Sequence, residues 1–288
     1  IDKGNIVYGI DNLNNYYSKS LKKKRLKNLQ KLRRFYFNKV DILQKKKLEI
    51  IFKKKFDLVI NLAAQAGVQF SFKKPEKYID SNVLGFFNIL ELSKKYKINK
   101  LMFASSSSVY GSIKNKKFNE NLRVDSQISL YATTKKINET LAKYYAENYK
   151  INIYGLRFFT VYGPYGRPDM SYFKFSDLIL KNKKIELYNN GKHSRDFTYI
   201  DDCIKIVIKL IKKLKTKDKN NFFEIFNIAC GKKINLKNLI YELKKNYNKE
   251  IFVKFKPMQK GDVKDTLSDT KKLKKKIGNL KPTKFQMG

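Results

Sequence analysis

Cysteine and histidine are nearly absent from this chain, and with them go most metal centres, redox pairs and imidazole-based catalytic triads. Of 288 residues, two are cysteine and one is histidine. Cys203 and Cys230 lack the close spacing of zinc or redox motifs, and His193 alone cannot build a multi-histidine site, so ordinary free thiols are expected. Long hydrophobic runs are missing too. The longest, such as residues 83–92, break off within a few positions, well short of the roughly 20 apolar residues of a membrane span. The chain opens with neither a signal peptide nor an initiator methionine. A soluble, cytoplasmic protein is the expectation.

Acidic residues are scarce: 25 Asp and Glu stand against 64 Lys and Arg, for a net charge of +39. Such an excess invites a nucleic-acid or anionic-membrane partner, because phosphate binding needs a concentrated field of cations. Here the lysines recur in every segment, at 22–25, 45–47, 53–55 and 271–276, instead of forming one tail or stripe. That distribution points to a broadly lysine-coated surface with weak, salt-sensitive polyanion binding, and no specific nucleic-acid partner is expected. The 42% hydrophobic content at this length suffices for a real core.

Periodicity divides the chain. Residues 5–10 are a short apolar strand ending at Asp11, and 21–34 repeat leucine at helical spacing. Strand 35–40 precedes Asp41, helix 42–53 follows, and 57–62 is a nearly unbroken apolar strand. A helix from Pro75 to about Tyr96, strand 100–105, a helix capped by Ser126 or Ser129 and strand 151–157 continue the alternation. Such βαβ succession specifies a parallel sheet covered on both faces. Beyond Thr160 the pieces shorten: a Gly/Pro-rich loop through Met170, a helix from about Tyr172, strands near 185–188 and 197–199, and a helix after Asp201. Strand 223–228, helix 235–247 and strand 251–255 close the series. The expectation is an α/β fold in two parts, a cofactor-binding part at 1–160 and mainly a smaller mixed α/β lobe at 161–288, some of whose segments return to the first.

The residues richest in chemistry are Tyr131 and Lys135, four apart in a helical segment that follows the serine run 105–108. A free phenol has a pKa near ~10 and is a poor base at neutral pH. A lysine one turn away shares its face and favours the phenolate. A phenolate beside a serine donor can then deprotonate an alcohol. In an open parallel sheet, ligands bind outside the carboxyl ends of the strands. Asp11, Asp41, the stretch Leu62-Ala63-Ala64-Gln65-Ala66-Gly67 and the serines all fall there.

Together with Tyr131 and Lys135, these residues resemble the extended short-chain dehydrogenase/reductase family of nucleotide-sugar epimerases and dehydratases, over nearly the whole chain. The stretches 9–17, 104–111 and 130–136, Arg157-Phe158-Phe159-Thr160-Val161-Tyr162-Gly163-Pro164 with Arg167-Pro168-Asp169-Met170, and Arg195-Asp196-Phe197-Thr198-Tyr199 are similar to the UDP-glucuronate 4-epimerases within it. The resemblance implies a Rossmann-type doubly wound parallel sheet with a substrate-binding lobe, NAD as cofactor, a UDP-sugar as substrate and a homodimer formed through the segments near 75–96 and 126–149. It also implies that the first strand and its Gly-rich phosphate loop, about one βα unit of ~30 residues, are missing from the front. At the other end, relatives continue past Gly288.

Roles follow the same resemblance. Asp11 would accept from the adenosine ribose and disfavour a 2′-phosphate, and Asp41 would reach the adenine. Leu62, Ala63, Ala64 and Asn82 would line the cofactor. Tyr131 would take the proton of the sugar 4-hydroxyl as C4 passes hydride to NAD. Ser106 would bond the same oxygen, and Lys135 would hold the nicotinamide ribose and depress the Tyr131 pKa. Gln65, Ser107, Ser108, Thr160, Arg167, Tyr188, Arg195 and Asp262 would contact substrate, with the three hydroxyls restraining the uronate carboxylate and Arg195 pairing with the diphosphate. Arg195 and Asp262 have a plainer reading as a surface ion pair. Another UDP-sugar 4-epimerase or a UDP-glucuronate decarboxylase shares many of these residues. A dehydratase fits less well, because Ser107 and Ser108 replace its usual Asp-Glu acid pair. Other classes are a basic nucleic-acid-binding protein, which needs no Tyr131, and a non-catalytic fragment.

Overall fold

The computed structural model describes residues 1, 4–113, 117–214 and 222–285; Gly288 lies outside them. Two parallel stacks carry the first half. Strands β1 (Val7–Asp11) and β2 (Phe35–Lys39) form a two-stranded ribbon. A separate four-stranded parallel sheet has β3 (Val59–Asn61), β4 (Lys100–Ser106), β5 (Asn152–Phe158) and β9 (Phe223–Ile228) side by side in that order.

Period-two alternation along β4 and β5 makes the sheet two-faced. Leu101, Phe103 and Ile153 join one core with Leu48 and Phe52 of α2 (Lys45–Phe52), Phe86, Ile89 and Leu90 of α5 (Gly85–Lys95), and Ala142 and Tyr145 of α6 (Leu130–Tyr149). Met102, Tyr154 and Leu156 enter the opposite core with Cys203, Ile206 and Leu210 of α8 (Ile200–Lys213) and Leu273 and Ile277 of α10 (Lys271–Ile277). Helices on both faces of a parallel sheet define the doubly wound, Rossmann-type arrangement. The later strand β9 returns to this sheet against β5.

A third core gathers the rest. Tyr162 of β6 (Thr160–Tyr162), Phe175 and Ile179 of α7 (Ser171–Leu180), Ile185 and Leu187 of β7 (Ile185–Leu187), Phe197 of β8 (Ser194–Tyr199) and Leu239 of α9 (Leu236–Tyr247) share it. Strand β10 (Lys233–Asn235) runs antiparallel to β8, β6 runs parallel to it, and β11 (Val253–Phe255) pairs with β7.

Several boundaries differ from the periodicity. The second helix starts at Lys45 instead of Ile42, whose side chain turns into the core as Asp41 caps the turn by accepting from the Leu43 N–H at 2.9 Å. The segment expected as one helix from Pro75 to Tyr96 contains a π-helical turn, Ile79–Leu84, between α4 (Glu76–Tyr78) and α5. Helix α1 (Lys19–Gln30) is capped by Ser18, stops before Arg34 and buries none of its residues. Helix α3 (Val68–Lys73), which the pattern did not announce, follows Gly67. Tyr188 opens a short 3₁₀ turn past the end of β7.

Candidate active site

The carboxyl ends of β1, β2, β3, β4 and β5 open onto one cavity of about 1090 Å³, at the upper end of ligand-pocket sizes. Its wall includes Asp11, Asp41, Leu62, Ala63, Ala64, Gln65, Ser106, Ser107, Ser108, Tyr131, Lys135, Thr160, Arg167, Tyr188, Arg195 and Asp262, so the structure brings together all but one of the expected site residues. Asn82 is the exception. Its amide is buried behind the wall, accepting from the Gln65 N–H at 2.7 Å and donating to the Gln65 carbonyl and the Thr134 hydroxyl, each at 3.0 Å. It shapes the loop after β3.

Ser129 fixes the start of α6 by accepting from the Ala132 N–H at 3.2 Å, which makes Tyr131 the second residue of the helix. The positive helix end there favours a phenolate. Tyr131, Lys135 and Glu139 then follow one face at four-residue intervals. Burial pushes the Tyr131 pKa up, and the neighbouring Ser106 hydroxyl offsets part of that rise. Arg167 is a further cation that favours the phenolate. Lys135 Nζ lies 5.9 Å from the Tyr131 ring centroid and donates to the Ala104 carbonyl at 2.7 Å. Desolvation lowers its pKa from 10.5 to about 8.

The serines diverge at the end of β4. Ser105 is buried and donates to Glu139 at 2.6 Å, so it belongs to the core. Ser106 Oγ donates to Ser108 Oγ at 3.1 Å and accepts the Ser108 N–H at 3.2 Å, capping the 3₁₀ turn Ser107–Tyr110.

At the dinucleotide end, Asp11 Oδ1 accepts from the Leu13 N–H at 2.6 Å and Asp41 Oδ2 accepts from Asn12 at 2.7 Å. Gly67 has φ +99°, and a Cβ there would meet the Tyr16 hydroxyl at 2.4 Å. At the far end, Arg195 donates to Asp262 Oδ1 at 2.7 Å and to the Ser194 and Lys264 carbonyls at 3.0 Å. The two side chains thus pair with each other while both line the cavity. Gln69 donates its side-chain amide to the Lys260 carbonyl at 2.9 Å.

The sequence model of the NAD dependent epimerase/dehydratase family matches residues 1–229. The chain belongs to that family. The UDP-glucuronate 4-epimerase of Thermodesulfobacterium geofontis is 40% identical over 277 residues, 96% of this chain and 83% of that protein. Protein CapI of Staphylococcus aureus is 40% identical over 305 residues, covering 100% of this chain and 90% of its own length. A Bacillus cereus UDP-glucuronic acid 4-epimerase, solved with UDP-glucuronic acid and NAD, superposes with a TM-score of 0.89 at 32% identity, over 98% of this chain and 87% of that one.

The site of this epimerase/dehydratase-family chain fits NAD on its own chemistry. Two carboxylates stand at the ends of adjacent parallel strands, where ribose hydroxyls and an adenine can be held. A desolvated ammonium that spends one donor on Ala104 keeps two for a second ribose. Three groups outside the sequence-based assignment also shape the site. Tyr78 donates its hydroxyl to the carbonyls of Ala66 and Gly67. Tyr16 and Asp169 line the cavity. Both lie inside motifs that carry the family resemblance, but nothing in their spacing shows that they meet.

Proposed function

We propose that this chain is an NAD-dependent epimerase acting at C4 of a UDP-sugar, with UDP-glucuronate as substrate and UDP-galacturonate as product. One observation carries the reading. A tyrosine, a serine and a buried lysine share the wall of one cavity that continues from the Asp11–Asp41 end to the Arg195–Asp262 end.

Tyr131 takes the proton of the sugar 4-hydroxyl, and Ser106 steadies the same oxygen. Lys135 holds the cofactor ribose and Asp11 the adenosine ribose. NAD, when bound, supplies the hydride acceptor and donor at C4. The ketone turns within the cavity so that hydride would return to its opposite face, which inverts C4, while its oxygen takes back the proton from Tyr131.

Oxidation at C4 of a uronate gives a β-keto acid, which loses CO₂ when its carboxylate aligns with the carbonyl π system. The hydroxyls of Ser107, Ser108 and Thr160 restrain that carboxylate by several hydrogen bonds. Arg195 serves the diphosphate, a task suited to its fork of donors, with Asp262 holding the guanidinium in place.

In this reading residues 1–160 serve mainly the cofactor and 161–288 mainly the substrate. A homodimer forms through the two helical segments at 75–96 and 126–149, which leave Leu84, Phe87 and Tyr144 exposed. A cytoplasmic location belongs to the same proposal. Among the described residues no helix is long and apolar enough to cross a membrane.

The test is to incubate the chain with NAD and UDP-glucuronate and to separate UDP-galacturonate from any UDP-pentose. Formation of UDP-galacturonate that disappears in Tyr131→Phe supports the reading. A pentose alone would make the chain a decarboxylase, and conversion of UDP-glucose but not UDP-glucuronate would move it to another 4-epimerase class.

A further inference from the structure

The cavity is bridged across its mouth by three links between the segment after β1 and the loop after β6. Tyr16 donates its hydroxyl to Asp169 Oδ2 at 3.1 Å. Arg25 donates to the Tyr17 hydroxyl at 2.7 Å and to the Gly166 carbonyl at 2.8 Å, and Asn28 reaches the Tyr165 hydroxyl at 3.4 Å. Asp169 in turn grips Arg167 through both carboxylate oxygens, Nε to Oδ1 at 3.0 Å and Nη2 to Oδ2 at 2.9 Å. Tyr16 also packs at a tilt against Phe70, with ring centroids 5.0 Å apart, and its hydroxyl fills the space that a side chain on Gly67 would need.

Resting on the epimerase reading above, we propose that Tyr16 and Asp169 are positioning residues: together they hold Arg167 beside Tyr131 and strap the cofactor-side segment to the substrate-side loop across the reacting carbon. Arg167 and Asp169 are about one-third exposed, at 32% and 35%, so their pair adds little to fold stability. Its use lies in geometry. A bidentate carboxylate fixes the plane of a guanidinium, which a single contact does not do. Burial raises the Tyr131 pKa, and Arg167 so held offsets part of that rise; burial of Tyr16 raises its own to about 12, which keeps it a neutral donor to Asp169. The strap ties the opening of the substrate side to movement of the segment that follows Asp11.

The consequence for the reaction is retention of a fragile ketone. In an opened cleft the C5–carboxylate bond breaks, its electron pair enters the enolate of the C4 carbonyl, CO₂ departs and C5 takes up a proton. The strap, by limiting motion, favours return of the hydrogen to C4 over that loss.

The experiment uses the full chain and its Tyr16→Phe, Asp169→Asn and doubly substituted forms, with two readouts. Hydrogen exchange over residues 163–170, measured without sugar, is expected to quicken by at least about threefold in each single variant, the scale of one lost hydrogen bond. It is expected to be no faster in the double variant than in the faster single one. With NAD and UDP-glucuronate, the CO₂ released per UDP-galacturonate formed is expected to rise about tenfold or more in each single variant. Unchanged exchange in Tyr16→Phe overturns the strap. Faster exchange with an unchanged CO₂ ratio overturns the positioning role and leaves a purely structural contact. If the unsubstituted chain converts no UDP-glucuronate, the epimerase reading fails and with it the positioning role, while exchange still decides the strap.

Discussion

On the proposed roles, Lys135 sets the alkaline limit of the reaction. Desolvation brings its pKa down to about 8, so the ammonium that holds the ribose is lost as pH rises through that value. Tyr131 needs the opposite change, since burial raises its pKa and only the phenolate accepts a proton. The rate constant kcat is therefore expected to fall above about pH 8, and Lys135→Arg, whose guanidinium stays charged, should move that limb upward in a pH–rate profile. Stability runs the other way. The folded state binds fewer protons here between about 8 and 10.5, so the site adds stability as pH rises through that window. At the sugar, Thr160→Ala should slow epimerisation and raise released CO₂, read with a carboxyl-labelled substrate. The identities of these residues were legible in the sequence because Tyr131 and Lys135 stand four apart and the serines close a strand. The second cation near Tyr131 was not. Arg167 comes from a loop 36 positions away, and only tertiary structure brings it there.

Helix α6 keeps its catalytic face in register through a buried ionic network. Arg157 Nε and Nη2 reach Glu139 Oε1 and Oε2 at 2.8 Å, Ser105 donates to the same carboxylate at 2.6 Å, and both charged side chains are at most 3% exposed. Arg157 also lies over Tyr110, 4.8 Å from its ring centroid. Breaking such a pair strands a charge in the core, so Glu139→Ala should cost about 3–5 kcal/mol in a denaturant melt. Loss of epimerase activity should accompany it, because Glu139 is one turn from Lys135. The main helices and strands of the sheet followed from alternation and helical leucine spacing. The interruption at Ile79–Leu84 did not, because Asp80, Ser81 and Asn82, weak helix formers by type, do not by themselves specify a π-helical turn. It arises where Tyr78, Asn82 and Gly85 meet the loop after β3 and Ile42, contacts that no local pattern records.

At the scale of the molecule, +39 net charges repel one another over the whole surface. Raising salt from about 0.1 to about 1 M shortens the screening length from ~10 to ~3 Å. The melting temperature should therefore climb with salt, while any adsorption to polyanions weakens, both readable by thermal scans and binding titrations. Charge is not the only uneven feature. The β1–β2 ribbon is held apart from the four-stranded sheet, has no fully buried residue in either strand, and is backed by an α1 that buries none of its side chains. Few apolar contacts oppose its opening, so its amides at 7–11 and 35–39 should exchange well before those at 101–106. Yet Asp11 and Asp41 stand at its tips. A dinucleotide gripped by those two carboxylates must order the region that receives it. Its apparent affinity therefore includes the entropy of that ordering, and its arrival should slow exchange there more than anywhere else in the molecule.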